Sequence, residues 1–154
     1  MINKENIKKI IIKKPLKLDC GETIVDYPLA YETYGILNEK KNNAILAFHA
    51  LTGDQFASGI NPITKKQGWW SYLVGPSKAI DTNKFFVICA NVIGGCMGSF
   101  GPGNINPKTN KEFGTDFPVI TINDMVNAQH NLLDFFKIDK LHSVIGGSMG
   151  GMQV

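Results

Sequence analysis

The sequence predicts an α/β fold, a mostly parallel sheet with an antiparallel start that runs to a strand–turn–helix junction at its far end. Three observations predict it. Ala44 to Phe48 and Phe85 to Ala90 are continuous apolar runs with the length and composition of strands buried on both faces. A helical pattern of apolar positions opens at Thr121. The segment Val144-Ile145-Gly146-Gly147-Ser148-Met149-Gly150-Gly151 joins a third apolar strand directly to a glycine-rich turn.

Taken in order, residues 1–15 form a Lys-rich N-terminal tail and residues 16–154 one domain, with no repeat and no low-complexity linker. Leu16 to Leu18 and Ile24 to Tyr34 are separated by the turn-like Cys20-Gly21-Glu22, and Tyr27, Leu29, Tyr31 and Thr33 alternate with a period of two. This is the antiparallel start. Asn42-Asn43 then leads into the Ala44 run, Lys84 into the Phe85 run, and Leu141 to Ile145 forms a shorter third strand ending at Gly146. The helix opens at Thr121 with Asp124 three residues on, an approximate capping box. It places Ile122, Met125, Val126, Gln129, Leu132, Leu133 and Phe136 at helical spacing, and Gln129 alone interrupts that face. Ile93 to Pro118 holds seven glycines and prolines before Lys111 and is expected to be a long surface excursion of functional kind.

Composition narrows the function classes. The 154 residues carry 16 basic against 13 acidic side chains, 16 − 13 = +3, with 44% hydrophobic and 19% charged residues. A single domain of this length buries roughly 70% of the surface its unfolded chain exposes, which excludes disorder, collagen and coiled coil. Six of the lysines fall between Lys4 and Lys17, so the positive excess is local rather than a basic stripe with interleaved aromatics, and nucleic acid is not an expected partner. No apolar run approaches the ~20 residues of a spanning helix. Ile10-Ile11-Ile12 is too short for a signal-peptide core, which makes the cytoplasm the expected compartment. Cys20, Cys89 and Cys96 are odd in number without a C-x-x-C, and His49, His130 and His142 lack ligand spacing. Neither a disulfide framework nor a metal site is expected.

The chemistry sits at Ser148. G-x-S-x-G directly after an apolar strand is the nucleophile-elbow pattern: a strained turn lifts the serine hydroxyl clear of the sheet, and small flanking residues let strand and helix backbones approach. The Met149 N–H faces the same point and can serve as one oxyanion donor, aided by the start of the following helix. A plain glycine turn between strand and helix would look similar. No frame fits the dinucleotide pattern G-x-G-x-x-G, and G-x-x-x-x-G-K-[ST] is absent. Gly94-Gly95-Cys96-Met97-Gly98 also follows a strand, but the glycines and prolines after it forbid the helix an elbow requires, so Cys96 is expected to line or support. The second oxyanion donor belongs to the loop after an earlier strand. His49-Ala50-Leu51-Thr52-Gly53-Asp54 stands there, with the Leu51 N–H as first candidate and Thr52 next. The base is missing, since six residues follow Ser148 and none is Asp, Glu or His. His49 is expected to make a structural hydrogen bond, and His130 and His142 do not have the placement of a base.

Six blocks in order carry a resemblance: His49 to Asp54, Gly68-Trp69-Trp70, Gly75 to Thr82, Asn91 to Pro102, Asp124-Met125-Val126 and Gly146 to Gln153. From about Leu16 to Val154 the chain resembles the N-terminal part of the homoserine O-acetyltransferases, acyltransferases of methionine biosynthesis. The resemblance implies the N-terminal part of an α/β-hydrolase fold, ending just after the nucleophile elbow. It implies a ping-pong reaction in which Ser148 takes an acetyl group from acetyl-CoA and passes it to the side-chain hydroxyl of L-homoserine. The backbone amides of Leu51 and Met149 would form the oxyanion hole. No permanently bound cofactor is implied; acetyl-CoA is a co-substrate, and the complete enzyme would be a homodimer. Trp69 and Trp70 match a family signature and are expected to pack the core. The family's catalytic Asp and His, a substrate-binding arginine and the helical lid belong to a C-terminal portion outside this sequence. The 154 residues alone are therefore expected to be inactive and marginally folded. Phe56 and Phe100 stand where many relatives carry a polar residue. Relatives of the same fold use succinyl-CoA or accept serine, and a non-catalytic N-terminal fragment or a simple hydrolase are the other readings.

Overall fold

A computed structural model describes residues 7–154. The chain runs through β1 (Lys9–Ile12), β2 (Leu16–Lys17), β3 (Thr23–Ile24), β4 (Tyr27–Tyr34), β5 (Ala44–Phe48), β6 (Val74–Gly75), β7 (Ile80–Asp81) and β8 (Phe86–Ala90). It continues with β9 (Ile105–Asn106), β10 (Lys111–Glu112), helix α1 (Ile122–Phe136), β11 (Ser143–Gly146) and helix α2 (Met149–Gln153). Five strands form the main sheet in the order β1-β4-β8-β5-β11. β8, β5 and β11 run parallel, while β4 is antiparallel to both β8 and β1.

The apolar runs at β5 and β8 are continuous because both faces are covered. Ala44, Leu46 and Phe48 with Phe86, Ile88 and Ala90 face α1, where Ala128, Leu132 and Leu133 close the core. The alternate residues Ile45, Ala47, Val87 and Cys89 face the opposite layer, against Val74, Ile80, Trp69 and Trp70. Strand alternation thus divides one apolar run between two cores. Trp69 and Trp70 lie with ring centroids 4.7 Å apart, and the Trp69 Nε1–H donates to the Asp54 carbonyl at 2.9 Å, so the pair packs as expected.

α1 opens as the sequence predicts. Thr121 Oγ1 accepts from the Asp124 N–H at 3.2 Å, and the Asp124 carboxylate accepts from the Thr121 N–H at 2.9 Å. Its other oxygen accepts from the Asp19 N–H at 2.9 Å, which ties the β2–β3 region to the helix start. The helix stops at Lys137, in the left-handed region at φ 56°.

Four readings change in detail. Lys9–Ile12, placed above in a Lys-rich tail, is an edge strand of the main sheet, with Ile12 in the core and Ile7 just before it also buried. Residues 1–6 of that tail lie outside the described residues. Ile24 to Tyr34 is broken at Asp26, whose φ of 50° turns the chain, so β3 pairs with β2 and only β4 enters the main sheet. The third strand begins at Ser143 rather than Leu141, after the His142 N–H donates to the Ala44 carbonyl at 2.8 Å. The excursion after Ile93 contains its own β9–β10 hairpin and is pinned by Phe100, Phe113 and Phe117, whose centroids lie 5.0–5.6 Å apart. Phe100 serves that cluster, and Phe56 is buried with Ile7, Ala30 and Met97.

Candidate active site

β11 pairs with β5 so that Gly146 lies opposite Phe48, which brings the turn after β11 and the loop after β5 to the same end of the sheet. Ser148 occupies φ 56°, ψ −129°, a left-handed conformation that costs a non-glycine residue about 1–3 kcal/mol. The glycines two before and two after it are sterically required. A Cβ on Gly146 would fall inside 3.0 Å of the Gly150 carbonyl, and one on Gly150 would do the same with the Phe48 carbonyl. Gly147 has open space around it, so the motif's outer glycines carry the constraint.

The loop after β5 folds back through a Gly53 N–H to Ala50 carbonyl bond at 2.8 Å and leaves Leu51 at its tip, 76% exposed. Leu51 and Met149 line one cleft of about 460 Å³, with His49, Cys96, Ile93 and Met125 among its walls. Among the described residues neither the Leu51 nor the Met149 N–H donates a backbone hydrogen bond, so both remain open to a ligand oxygen. Thr52 is exposed and does not border that cleft.

His49 holds this loop. It is 1% exposed, with Nδ1 2.7 Å from the Ala50 carbonyl, so Nδ1 carries the proton and donates. Nε2 then accepts from the Val92 N–H at 3.2 Å and faces Asn91 Nδ2 at 3.4 Å. Burial holds the imidazole below its ordinary pKa of 6.5, with the Asp54 carboxylate partly opposing. A neutral ring with both nitrogens committed is a support, not a base. His130 is exposed beside Asp134 at 3.9 Å, and His142 stacks on Phe85 at 4.8 Å. Among the described residues none of the three rings hydrogen-bonds Ser148.

Cys96 lines the cleft from a loop that no helix follows, as its glycines require. Cys89 is fully buried and desolvation pushes its thiol up, which makes it inert. Sequence reasoning missed Asn91. Its Oδ1 accepts from the Met97 N–H at 3.2 Å and its carbonyl from Ser99 Oγ, so it ties the Cys96 loop to His49. The available signal was a polar residue placed immediately after a buried strand.

A strained serine between required glycines, beside a loop from the neighbouring strand, defines a class. Residues 43–154 match the family model described as alpha/beta hydrolase fold, and the chain belongs to that family. Within it, the chain is 79% identical over 148 residues to the homoserine O-acetyltransferase of Pelagibacter ubique (strain HTCC1062), covering 96% of this chain and 40% of that protein. The crystal structure of homoserine O-acetyltransferase from Bacillus anthracis superposes with a TM-score of 0.85 at 39% identity, over 95% of this chain and 40% of that one. Esterase E22 superposes with a TM-score of 0.84 at 38% identity, over 96% and 42%. The chain therefore spans about two fifths of the length of these relatives.

Proposed function

We propose that the protein to which these residues belong transfers an acetyl group from acetyl-CoA to the side-chain hydroxyl of L-homoserine, in methionine biosynthesis. The observation that carries this reading is the 79% identity to the Pelagibacter ubique homoserine O-acetyltransferase, which extends through the Ser148 elbow. Ser148 Oγ attacks the thioester carbonyl, and the Leu51 and Met149 N–H groups hold the developing oxyanion. The tetrahedral intermediate collapses, the C–S bond breaks, and CoA leaves as the thiol with the proton taken from Ser148. The homoserine hydroxyl then attacks acetyl-Ser148 and regenerates the serine. The histidine that moves those protons and its aspartate lie in the C-terminal portion that the family resemblance implies.

The name of the relatives favours acetyl over succinyl as the transferred group, and the cleft beside the elbow is apolar on this chain's side. Among the described residues no charged side chain lines it, and Ile93, Phe117, Ile120 and Met125 make its wall apolar. No resident cofactor is needed. The reading also includes a cytoplasmic homodimer, and no described helix is long and apolar enough to cross a membrane.

The likeness to esterase E22 favours a second reading, in which water rather than homoserine discharges the acyl-enzyme. Intact protein mixed with acetyl-CoA and then offered homoserine distinguishes the two. Transfer is expected to yield an acetyl adduct on the Gly146-containing peptide that discharges to O-acetylhomoserine, and Ser148→Ala is expected to abolish both. Discharge to acetate at a rate indifferent to homoserine would establish the esterase, and an adduct on Cys96 would overturn the nucleophile.

A further inference from the structure

Gln129 interrupts the apolar face of α1, and it is 1% exposed. Its Nε2 donates to Gln153 Oε1 at 2.8 Å, and Gln153, also buried, directs its own Nε2 to the Met149 carbonyl at 3.4 Å. Two amides thus run from α1 to the first residue of α2, the residue that follows Ser148 and borders the cleft.

Packing does not account for this arrangement. Gln129 Oε1 is buried without a hydrogen-bond partner among the described residues, a condition that costs about 1–3 kcal/mol. Leucine or methionine at position 129 would complete the apolar face and remove the orphaned acceptor. What the amide supplies, and an apolar side chain cannot, is an oriented bond to α2. That helix needs one. Its opening turn contains Gly150 and Gly151, and each helical glycine costs ~1 kcal/mol relative to alanine. It must also hold Ser148 in a strained conformation whose relaxation would carry the hydroxyl and the Met149 N–H out of register. α1, by contrast, has 15 residues and a closed capping box.

We infer that Gln129 and Gln153 are positioning residues for acyl transfer: α1 acts through the amide pair to fix the turn that carries Ser148 and Met149. The inference rests on Ser148 being the acyl-accepting nucleophile. It is tested in the full-length protein with Gln129→Met, Gln153→Met and the double variant, by following the pre-steady-state burst of CoA release, kcat, KM and thermal unfolding. The burst rate constant is read per competent site, so partial unfolding lowers only the amplitude.

Each single variant is expected to lower the burst rate constant and kcat about ten- to a hundredfold, the scale of a ~1 Å misplacement, with KM for acetyl-CoA changed less than about twofold. The Gln129→Met midpoint is expected to hold, because the substitution removes one orphaned acceptor, Gln129 Oε1, and leaves another, Gln153 Oε1. The double variant should be no slower than the worse single one, because both substitutions break one relay. Burst rate constants equal to wild type, or losses that follow the unfolding midpoint, would overturn the inference. Ser148→Ala is the control for the underlying reading. A burst that survives it would sink the nucleophile assignment itself, whereas a lost burst beside fully active glutamine variants would sink the relay alone.

Discussion

A methyl group is enough to test the elbow at the residue scale. Gly150→Ala drives a Cβ into the Phe48 carbonyl, which is main chain of β5, held between β8 and β11, and cannot move aside. We expect it to destabilise the full-length protein by roughly 3 kcal/mol, the upper range of overpacking. Gly147→Ala enters open space and should stay within about 0.5 kcal/mol of wild type. Unfolding midpoints of the two variants check the contrast, and equal losses would refute it. The G-x-S-x-G spacing already separates the two in the sequence, and the register that sets Gly146 opposite Phe48 supplies the physical reason.

His49 gives a pH dependence of known sign. Its pKa is depressed by burial from 6.5, so the unfolded chain binds the proton more readily than the folded one. The stability it contributes is complete above pH 6.5 and drains away as pH falls through the window below, at up to ~1.4 kcal/mol per pH unit. A protonated Nε2 would also turn from acceptor to donor against the Val92 N–H, loosening the loop that presents Leu51. His49→Gln has no titrating ring and should flatten the stability profile just below pH 6.5, measured by denaturant unfolding. A profile as steep as wild type would assign the acid sensitivity elsewhere. Position alone indicated a structural histidine, while the partner at Val92, 43 residues away, was not legible.

At the scale of elements, what the sequence made visible is what local pattern and tertiary contact agree on. β5, β8 and α1 satisfy periodicity, length and capping together, so their bounds shift by no more than a residue. β1 was obscured because Lys9 and the surrounding lysines give an edge strand the charge of a solvated tail, which is how natural edges resist pairing. The break at Asp26 was hidden because a positive φ in a non-glycine residue leaves no local trace. The capping box permits a graded prediction. Thr121→Ala removes one cap and an exposed hydrogen bond to the Asp19 carboxylate, and should cost about 1 kcal/mol. Asp124→Ala removes the acceptor for both the Thr121 and Asp19 N–H groups at a fully buried site and should cost about 3 kcal/mol. The reverse order of unfolding midpoints would show that the Asp19 tether contributes nothing.

At the scale of the whole 154-residue chain, the two edges of the described sheet differ in kind. β1 is flanked by Lys8, Lys13 and Lys14, and its neighbours pair with Asp26 and Asp134 at 3.0 and 2.8 Å. β11 pairs with β5 on one side only among the described residues, and its Ser143-Val144-Ile145-Gly146 presents unpaired backbone with no charge, Val144 being 39% exposed. Such an edge is a template for another strand. A polypeptide of residues 1–154 is therefore expected to associate with itself through β11, and Val144→Lys should shift it toward monomer in sedimentation at matched concentration. The same polypeptide holds the proposed nucleophile, Ser148, and both candidate oxyanion amides but commits its histidines to other partners. Its acetyl-CoA turnover with homoserine should fall on the order of 10⁴- to 10⁶-fold below that of the full-length protein. A monomeric species with a cooperative transition and robust turnover would mean that His49 leaves its two hydrogen bonds to act as a base, which the geometry around Val92 and Ala50 opposes.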